Sequence, residues 1–283
     1  MTRVLVTGAA GQIGTELVPA LRDLHGADAV MATDLRQPPG ALAEAGPSGV
    51  LDCRDAAAVA AAVHEHRAEV IYHMAALLSA TAERRPVEAW QINVGCVFNV
   101  LEVAREAGCA VFVPSSIAAF GPGTPADPAP QDTVQRPTSM YGVTKVAGEL
   151  LCDYYALRLG VDVRGVRYPG LVSYSAPAGG GTTDWAVEIF HAAVRDGRYT
   201  CFLAADTQLD MMYMPDAVRA SLEVMAADPA RLRHRNAFNV TAMQLTPQRL
   251  ATEIRRHLPG FEITYAVDPV RQGIAESWGG GGG

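Results

Sequence analysis

The feature that most constrains the fold is a glycine-rich segment near the start of the chain, Val6-Thr7-Gly8-Ala9-Ala10-Gly11-Gln12-Ile13-Gly14. It follows a short β-branched run, Arg3 to Thr7, and precedes helical spacing of apolar residues from Gly11 to Asp23. In such a strand-to-helix turn the three glycines allow the tight turn, the approach of a pyrophosphate, and close packing of helix on strand. The free amides of the helix start face the phosphates. The segment therefore predicts a dinucleotide site contacted by Gly8, Gly11, Gln12, Ile13 and Gly14.

A carboxylate at the end of the second predicted strand indicates which dinucleotide binds. Asp34 lies 20 residues after Gly14, where a ribose-binding carboxylate belongs. A carboxylate accepts a hydrogen bond from the 2′-hydroxyl of NAD and repels the 2′-phosphate of NADP. Arg36 is expected near the adenine edge, although it could in principle serve a phosphate. We therefore expect NAD as the cofactor.

Strand and helix signals alternate through the first part of the chain and change after Pro169. Strands are expected at residues 3–7, 30–33, 49–51, 70–73, 110–114 and 162–167, with helices between them. This alternation is typical of crossover units on a parallel sheet. We predict an α/β fold with a Rossmann-type doubly wound parallel sheet (residues 1–170) and a smaller C-terminal α/β substrate lobe (171–278). Residues 279–283 are all glycine and are predicted to be a disordered or artificial tail.

A tyrosine and a lysine four residues apart predict the catalytic chemistry. Tyr141 and Lys145 share one face of a predicted helix. A nearby ammonium favours the phenolate and lowers the tyrosine pKa, so that the phenolate can take a proton from an alcohol. Lys145 is the only lysine, beside 22 arginines, which suggests a position that arginine cannot fill. Otherwise the pair would be an exposed tyrosine and an unrelated lysine.

Two further segments predict substrate contacts at the carboxyl ends of the strands, where ligands of open α/β sheets bind. Ser116 follows the predicted strand 110–114 and can bridge Tyr141 to a substrate oxygen. Gly179 to Thr183 precedes a helical run that begins near Asp184, and free amides and hydroxyls there suit a carboxylate. Simple helix capping by Thr183 or Asp184 is the other interpretation, and both can hold together. The substrate-binding residues expected here are Ser79, Ser116, Tyr141, Gly180, Gly181, Thr182 and Thr183.

The glycine segment, the Ser116 segment and the Tyr141/Lys145 pair, in that order, resemble the extended short-chain dehydrogenase/reductase family. The resemblance implies that Tyr141 is the proton acceptor, that Lys145 is the ribose ligand, and that Ser116 is the third catalytic residue. It also implies further cofactor contacts, which are Asp52, Ala75, Ala76, Leu77, Asn93, Tyr168 and Pro169. As in the family, Ser116 lies five residues before Gly121.

A finer resemblance is to the branch of this family that oxidises the side-chain hydroxyl of L-threonine to 2-amino-3-oxobutanoate. The segments that carry it are residues 116–122, 164–170, 179–185 and 211–213, and it extends from Arg3 to Trp278. After Trp278 that branch continues into further structure, whereas only glycines follow here. The resemblance implies a homodimer joined through helices near residues 87–107 and 141–159. Two alternatives stay open: a nucleotide-sugar epimerase or dehydratase, and a non-catalytic NAD-sensing protein. The epimerases usually carry an arginine where this chain has Leu209, and the sensors usually lack the tyrosine or the lysine.

Composition excludes several other classes. The formal charge is −7 at pH 7, which does not favour binding to nucleic acid. No uncharged apolar window of 18 or more residues occurs, so we expect no membrane span. The first strand starts too early to leave room for a signal peptide, and five scattered cysteines without a CxxC pair indicate reduced thiols. These features predict a cytoplasmic protein with a small-molecule substrate. The seven histidines show no spacing that converges on a metal, and we expect none.

Overall fold

A parallel sheet organises the first part of the chain in the computed structural model, which describes residues 2–125 and 128–278. The strands are β1 (Val4–Thr7), β2 (Val30–Asp34), β3 (Ser48–Val50), β4 (Val70–His73), β5 (Ala110–Phe112), β6 (Ser115–Ser116), β7 (Val163–Arg164), β8 (Val166–Tyr168), β9 (Gly170–Val172), β10 (Arg198–Cys201), β11 (Leu209–Tyr213), β12 (Phe238–Asn239), β13 (Met243–Leu245) and β14 (Glu262–Tyr265). The main sheet has the order β3-β2-β1-β4-β5-β7, and all of its neighbours are parallel. This order reverses at β1, as in a doubly wound sheet, and confirms the predicted fold class.

Helices connect these strands. They are α1 (Gly14–His25), α2 (Gly40–Glu44), α3 (Ala56–His66), α4 (Ser79–Arg84), α5 (Pro86–Trp90), α6 (Cys96–Ala107), α7 (Met140–Leu159), α8 (Trp185–Asp196), α9 (Met214–Ala226), α10 (Pro247–His257) and α11 (Pro269–Glu276). A π-helical turn, Gln91–Gly95, joins α5 to α6, so the long helix predicted after Pro86 is present with a π segment inside it. In the part of the chain that the structure describes, no helix combines the length and the apolar character that a bilayer crossing requires.

The alternation of side chains along β1 divides the core between the two faces of the sheet. Leu5 packs with residues of α3 and α6 on one face, whereas Val4 and Val6 pack with residues of α1 and α9 on the other. Successive side chains of a strand point to opposite faces, so a central strand covered by helices on both sides must be apolar throughout. All four residues of β1 are buried accordingly.

The second part of the chain contains a separate apolar cluster around Trp185, Ile189, Met211 and Leu250. Its strands form the sheets β13-β11-β9 and β10-β14. The chain also returns to the first part, because β12 pairs with β8 and the helix α9 packs in the cluster of α1. The boundary at residue 170 stays a prediction, as does the substrate role of residues 171–278. The predicted glycine tail, residues 279–283, lies outside the described residues.

The predicted single strand over residues 162–167 is two strands, β7 in the main sheet and β8 in the sheet β12-β8-β6. Gly165 separates them. A Cβ at Gly165 would lie 2.1 Å from the carbonyl oxygen of Val113, so the backbone that follows β5 passes too close for any side chain. The chain changes sheets at this glycine, and β8 brings Tyr168 beside Ser116 of β6.

Candidate active site

A cleft of about 440 Å³ lies at the carboxyl ends of the strands of the main sheet. Its walls come from the glycine segment, the end of β6, the first turns of α7 and the segment that leads into α8. The predicted site residues that line it are Gly8, Gly11, Gln12, Ile13, Gly14, Ala76, Ser79, Ser116, Tyr141, Lys145, Tyr168, Pro169, Gly181 and Thr183. The fold therefore collects residues that are up to 175 positions apart in the sequence around one cavity.

The glycine segment at one wall forms a cradle made of backbone. Gly8 adopts φ +67°, and a Cβ there would lie 2.6 Å from the amide nitrogen of Ala75. A Cβ at Gly14 would lie 2.5 Å from the carbonyl oxygen of Gly8, so α1 begins in direct backbone contact with this turn. Gln12 adds a buried side-chain amide, whose Nε2 has no hydrogen-bond partner among the described residues. Exposed amides at a helix start and an unused donor fit the pyrophosphate of a dinucleotide.

Asp34 lies at the end of β2, directly beside this cradle. Its Oδ2 accepts a hydrogen bond from the amide of Ala10 at 3.0 Å, and its Oδ1 accepts one from the amide of Leu35 at 2.7 Å. Arg36 is exposed near it. Asp52 forms an ion pair with Arg54 at 2.6 Å, and the hydrogen bonds from Arg54 lower the pKa of the Asp52 carboxyl. These three side chains lie outside the lining of the cleft, toward the β2 and β3 side of the sheet.

Asn93 is buried and makes three side-chain hydrogen bonds. The side chain of Asn93 accepts from the amide of Leu77 at 2.8 Å and donates to the carbonyl of Leu77 at 3.0 Å. Its Nδ2 also donates to the hydroxyl of Thr144 at 3.1 Å. Asn93 therefore ties the loop after β4 to α7, while Ala76 of that loop faces the cleft. Leu77 and Asn93 act on the cleft through this connection, whereas Ala75 lies against Gly8.

The Tyr141/Lys145 pair lies at the opposite wall. The ammonium of Lys145 donates to the carbonyl of Pro114 at 2.8 Å and lies 5.3 Å from the centre of the Tyr141 ring. Burial lowers the pKa of Lys145 to about 8, while Glu149 and Cys152 raise it. Burial raises the pKa of Tyr141 to about 12, and a hydrogen bond with Ser116 lowers it. This direction is opposite to the lowered tyrosine pKa expected from the sequence, because the desolvation of the phenol outweighs the effect of its neighbours.

The segment before α8 corrects one sequence expectation. The amides of Gly180 and Gly181 are not free, because both donate to Oδ2 of Asp184 at 2.7 Å. Thr182 is fully buried, its amide donates to Oγ of Ser79, and the two hydroxyls lie 2.9 Å apart. Burial raises the pKa of Asp184, whose side chain makes no capping bond to α8. Asp184 therefore does not cap α8, and the amides before it are not free. Instead its buried carboxylate binds the loop that precedes it, and Thr183 faces the cleft.

Asp184 and Trp278 are among the residues that line the cleft but were not assigned to the site from the sequence. Asp184 accepts hydrogen bonds from backbone amides of its own segment, and only the folded turn shows this contact. Trp278 is buried at the end of the described residues and closes one side of the cleft, and its Nε1 has no hydrogen-bond partner among them. The only sequence signal for Trp278 is its position as the last residue of the segment that resembles the family. Within the described ranges, no group of three or more histidine, cysteine or acidic side chains is placed to hold a metal ion.

The doubly wound sheet, the glycine cradle and the Tyr141/Lys145 pair define an NAD-binding class of enzymes. The profile of the NAD dependent epimerase/dehydratase family matches residues 4–241, and the chain belongs to that family. An uncharacterised epimerase/dehydratase of Staphylococcus haemolyticus is 53% identical over 279 residues, which cover 98% of this chain and 88% of that protein.

Two solved structures are also similar over nearly the whole chain. The L-threonine dehydrogenase of Clostridium difficile has a TM-score of 0.94 and 49% identity, and the match covers 98% of this chain and 88% of that one. A monomeric L-threonine 3-dehydrogenase from a metagenome has a TM-score of 0.93 and 43% identity, with coverage of 97% and 88%.

Proposed function

We propose that this chain is an NAD-dependent L-threonine 3-dehydrogenase. The reaction converts L-threonine and NAD⁺ to 2-amino-3-oxobutanoate, NADH and a proton. The observation that carries this proposal is the meeting of Ser116, Tyr141 and Lys145 with the glycine cradle in one cleft. The similarity to two L-threonine dehydrogenase structures over 97% or more of the chain supports the substrate.

The side chains of the cleft divide the work of the reaction. Bound NAD supplies the hydride acceptor. Ser116 and Tyr141 hold the β-hydroxyl of the substrate, and the Tyr141 phenolate takes its proton as hydride leaves the β-carbon. Lys145 binds the nicotinamide ribose and stabilises the phenolate by its charge. Ser79 and Thr183 contact the amino-acid part of the substrate, and Gly180, Gly181 and Thr182 shape that wall.

The proposed cofactor contacts extend from the cradle toward both ends of the dinucleotide. Gly8, Gly11, Gln12, Ile13 and Gly14 hold the pyrophosphate with their backbone and with the free amide of Gln12. Asp34 accepts from the adenosine ribose, with Arg36 and Asp52 toward the adenine. Ala75, Ala76, Leu77, Asn93, Tyr168 and Pro169 form or support the wall at the nicotinamide end.

An assay with several substrates tests the proposal directly. Purified protein is incubated with NAD and, separately, L-threonine, L-serine, other amino alcohols and a nucleotide sugar, while NADH absorbance and sugar products are followed. We expect turnover of L-threonine and slower turnover of L-serine, because a missing methyl group costs about 1–3 kcal/mol in an apolar pocket. Turnover of the nucleotide sugar without threonine oxidation would favour the epimerase alternative. NAD binding without turnover of any substrate would favour the sensor.

The position of Leu209 favours the dehydrogenase over the epimerase. Leu209 is buried in β11 within the apolar cluster of the second part of the chain. It therefore offers no charge to the phosphates of a nucleotide sugar.

We also propose that two copies associate through α5, α6 and α7. Large apolar side chains are exposed on these helices, namely Trp90, Phe98, Leu150, Tyr154 and Leu157. Single exposed apolar residues are normal on a protein surface, but a group of this size on adjacent helices is typical of an interface between identical copies. Sedimentation of Phe98→Glu should show a monomer where the wild type is a dimer, and Val194→Glu on α8 is the matched exposed control. A monomeric wild type would contradict this proposal.

A cytoplasmic location is the remaining part of the proposal. The five cysteines are all free and buried. Reduced thiols of this kind are typical of a reducing compartment. Fractionation of the native host cells tests the location.

A further inference from the structure

A buried carboxylate lies one helical turn beyond Lys145 and is not used by the proposed mechanism. Glu149 of α7 forms an ion pair with Arg167 of β8, and both side chains are more than nine-tenths buried. Oε1 of Glu149 accepts from Nε of Arg167 at 2.9 Å, and Oε2 accepts from Nη2 of the same guanidinium at 2.7 Å. The hydroxyl of Ser115 and the amide of Gln135 donate to the same carboxylate. Four donor atoms therefore surround this carboxylate, and two of them belong to one guanidinium.

The placement of Glu149 relates it to the catalytic wall in two ways. Tyr141, Lys145 and Glu149 follow each other at intervals of four on one face of α7. Lys145 and Glu149 also line one small cavity of about 20 Å³ with Ser115 and Pro114, the residue whose carbonyl accepts from Lys145. That volume accommodates about one water molecule. The two side chains therefore share a buried space in which water screens their interaction poorly.

The other groups that face Lys145 do not replace this negative charge. On α7 they are Tyr141, whose phenol is neutral in the structure because its pKa is raised, and Cys152, whose burial raises the pKa of the thiol. At the end of β4, burial lowers the pKa of His73 to about 3, so that this ring is neutral. The guanidinium of Arg167 on β8 is positive. Without the Glu149 carboxylate, Lys145 would face that positive charge with no compensation.

We propose that Glu149 is a positioning residue for the reaction, whose buried carboxylate, fixed by Arg167 and Ser115, keeps Lys145 protonated at the working pH. The inference rests on the proposed function for its catalytic meaning, but the charge of Lys145 can be measured without any turnover. Burial alone favours the neutral amine, and Glu149 opposes this effect. A neutral lysine would no longer stabilise the Tyr141 phenolate.

The single lysine of the chain makes the test direct. Protein grown with ¹³C-labelled lysine gives one lysine side-chain signal, that of Lys145, and its titration is followed by NMR without cofactor. In Glu149→Gln we expect the midpoint to fall by about one to two pH units, the effect of losing a unit charge one helical turn away. The matched control is Asp162→Asn, which also removes the carboxylate from a pair with a buried arginine, Arg164. Its lysine midpoint should stay at the wild-type value.

Glu149→Asp keeps the charge and serves as the second variant if the glutamine variant does not fold. We expect its midpoint between those of the wild type and Glu149→Gln, or near the wild type. In steady-state assays, the pH at which kcat/KM for L-threonine stops rising should move down with the NMR midpoint. An unchanged midpoint in Glu149→Gln, or an equal shift in Asp162→Asn, would overturn the inference. A wild-type protein that does not oxidise threonine would refute the proposed function, while the titration would still decide the role of Glu149.

Discussion

The substitution Gly8→Ala separates the two reasons why the cradle requires glycine. Gly8 has φ +67°, which costs an alanine roughly 1–2 kcal/mol. Its added Cβ would also lie 2.6 Å from the amide nitrogen of Ala75 and 2.7 Å from the carbonyl carbon of Met74. Those are backbone atoms at the end of a central strand, so β1 and β4 must separate. Such overpacking adds about 1–3 kcal/mol.

Gly197 provides a matched control for the backbone conformation alone. It has φ +66°, and nothing lies within 4 Å of a Cβ built there. Gly197→Ala should therefore lose only the conformational term, which lowers Tm by a few degrees. Gly8→Ala should lower Tm further and weaken NAD binding by at least about tenfold, because the displaced turn carries the phosphate-binding amides. The assays are thermal unfolding and calorimetric titration with NAD. Equal Tm values for the two variants, together with wild-type NAD affinity in Gly8→Ala, would show that the close approach of Gly8 to Ala75 does not matter.

Four further outcomes are expected. Tyr141→Phe should lower kcat about 10²–10⁴-fold while the Kd for NAD changes little, since the phenol carries proton transfer; near-normal turnover would mean that another group is the base. For the wild type, kcat/KM should rise about tenfold per pH unit below pH 8, because the pKa of Tyr141 is raised to about 12 and the phenolate fraction grows with pH. The rise should level off near pH 8, where Lys145 loses its proton, and a flat profile from pH 6 to 8 would contradict this assignment. Asp34→Ala should narrow the preference for NAD over NADP in catalytic efficiency, and an unchanged ratio would place Asp34 away from the ribose. Trp278→Phe keeps an aromatic ring but removes the indole N–H, which has no partner among the described residues, and should raise KM for L-threonine more than KM for NAD. KM values equal to those of the wild type would show that Trp278 has only a structural role in the wall of the cleft.

Local sequence patterns predicted the first part of the fold well. The strand at residues 70–73 and the helix at 141–159 lie within one residue of their predicted bounds, because each is a regular apolar repeat over a buried surface. The short helices α2, α4 and α11 and the strands β9, β10, β11 and β13 were not predicted. The stability of each of these elements comes from neighbours that are distant in sequence.

The candidate site, like the fold, was predicted only in part from the sequence. The order of the glycine segment, Ser116 and the Tyr141/Lys145 pair indicated a dinucleotide site and proton transfer from an alcohol, since these depend on spacing within one turn or helix. Sequence spacing did not indicate that burial of Tyr141 raises its pKa, nor that Asp184 occupies the amides of Gly180 and Gly181. Both effects depend on how much water the assembled cleft excludes.

By itself, the sequence determined the features that are encoded within a few residues: the glycine turn, the helical placement of Lys145 four residues after Tyr141, and the alternation that produces a parallel sheet. Only the tertiary structure decided which distant groups meet. The chain passes from β7 to β8 at Gly165, where the carbonyl of Val113 leaves no room for a Cβ, and β8 brings Arg167 to Glu149. Trp278 reaches the cleft only because α11 packs near α4. Backbone periodicity carries no information about such contacts, because they form only when separate layers close on each other and exclude water.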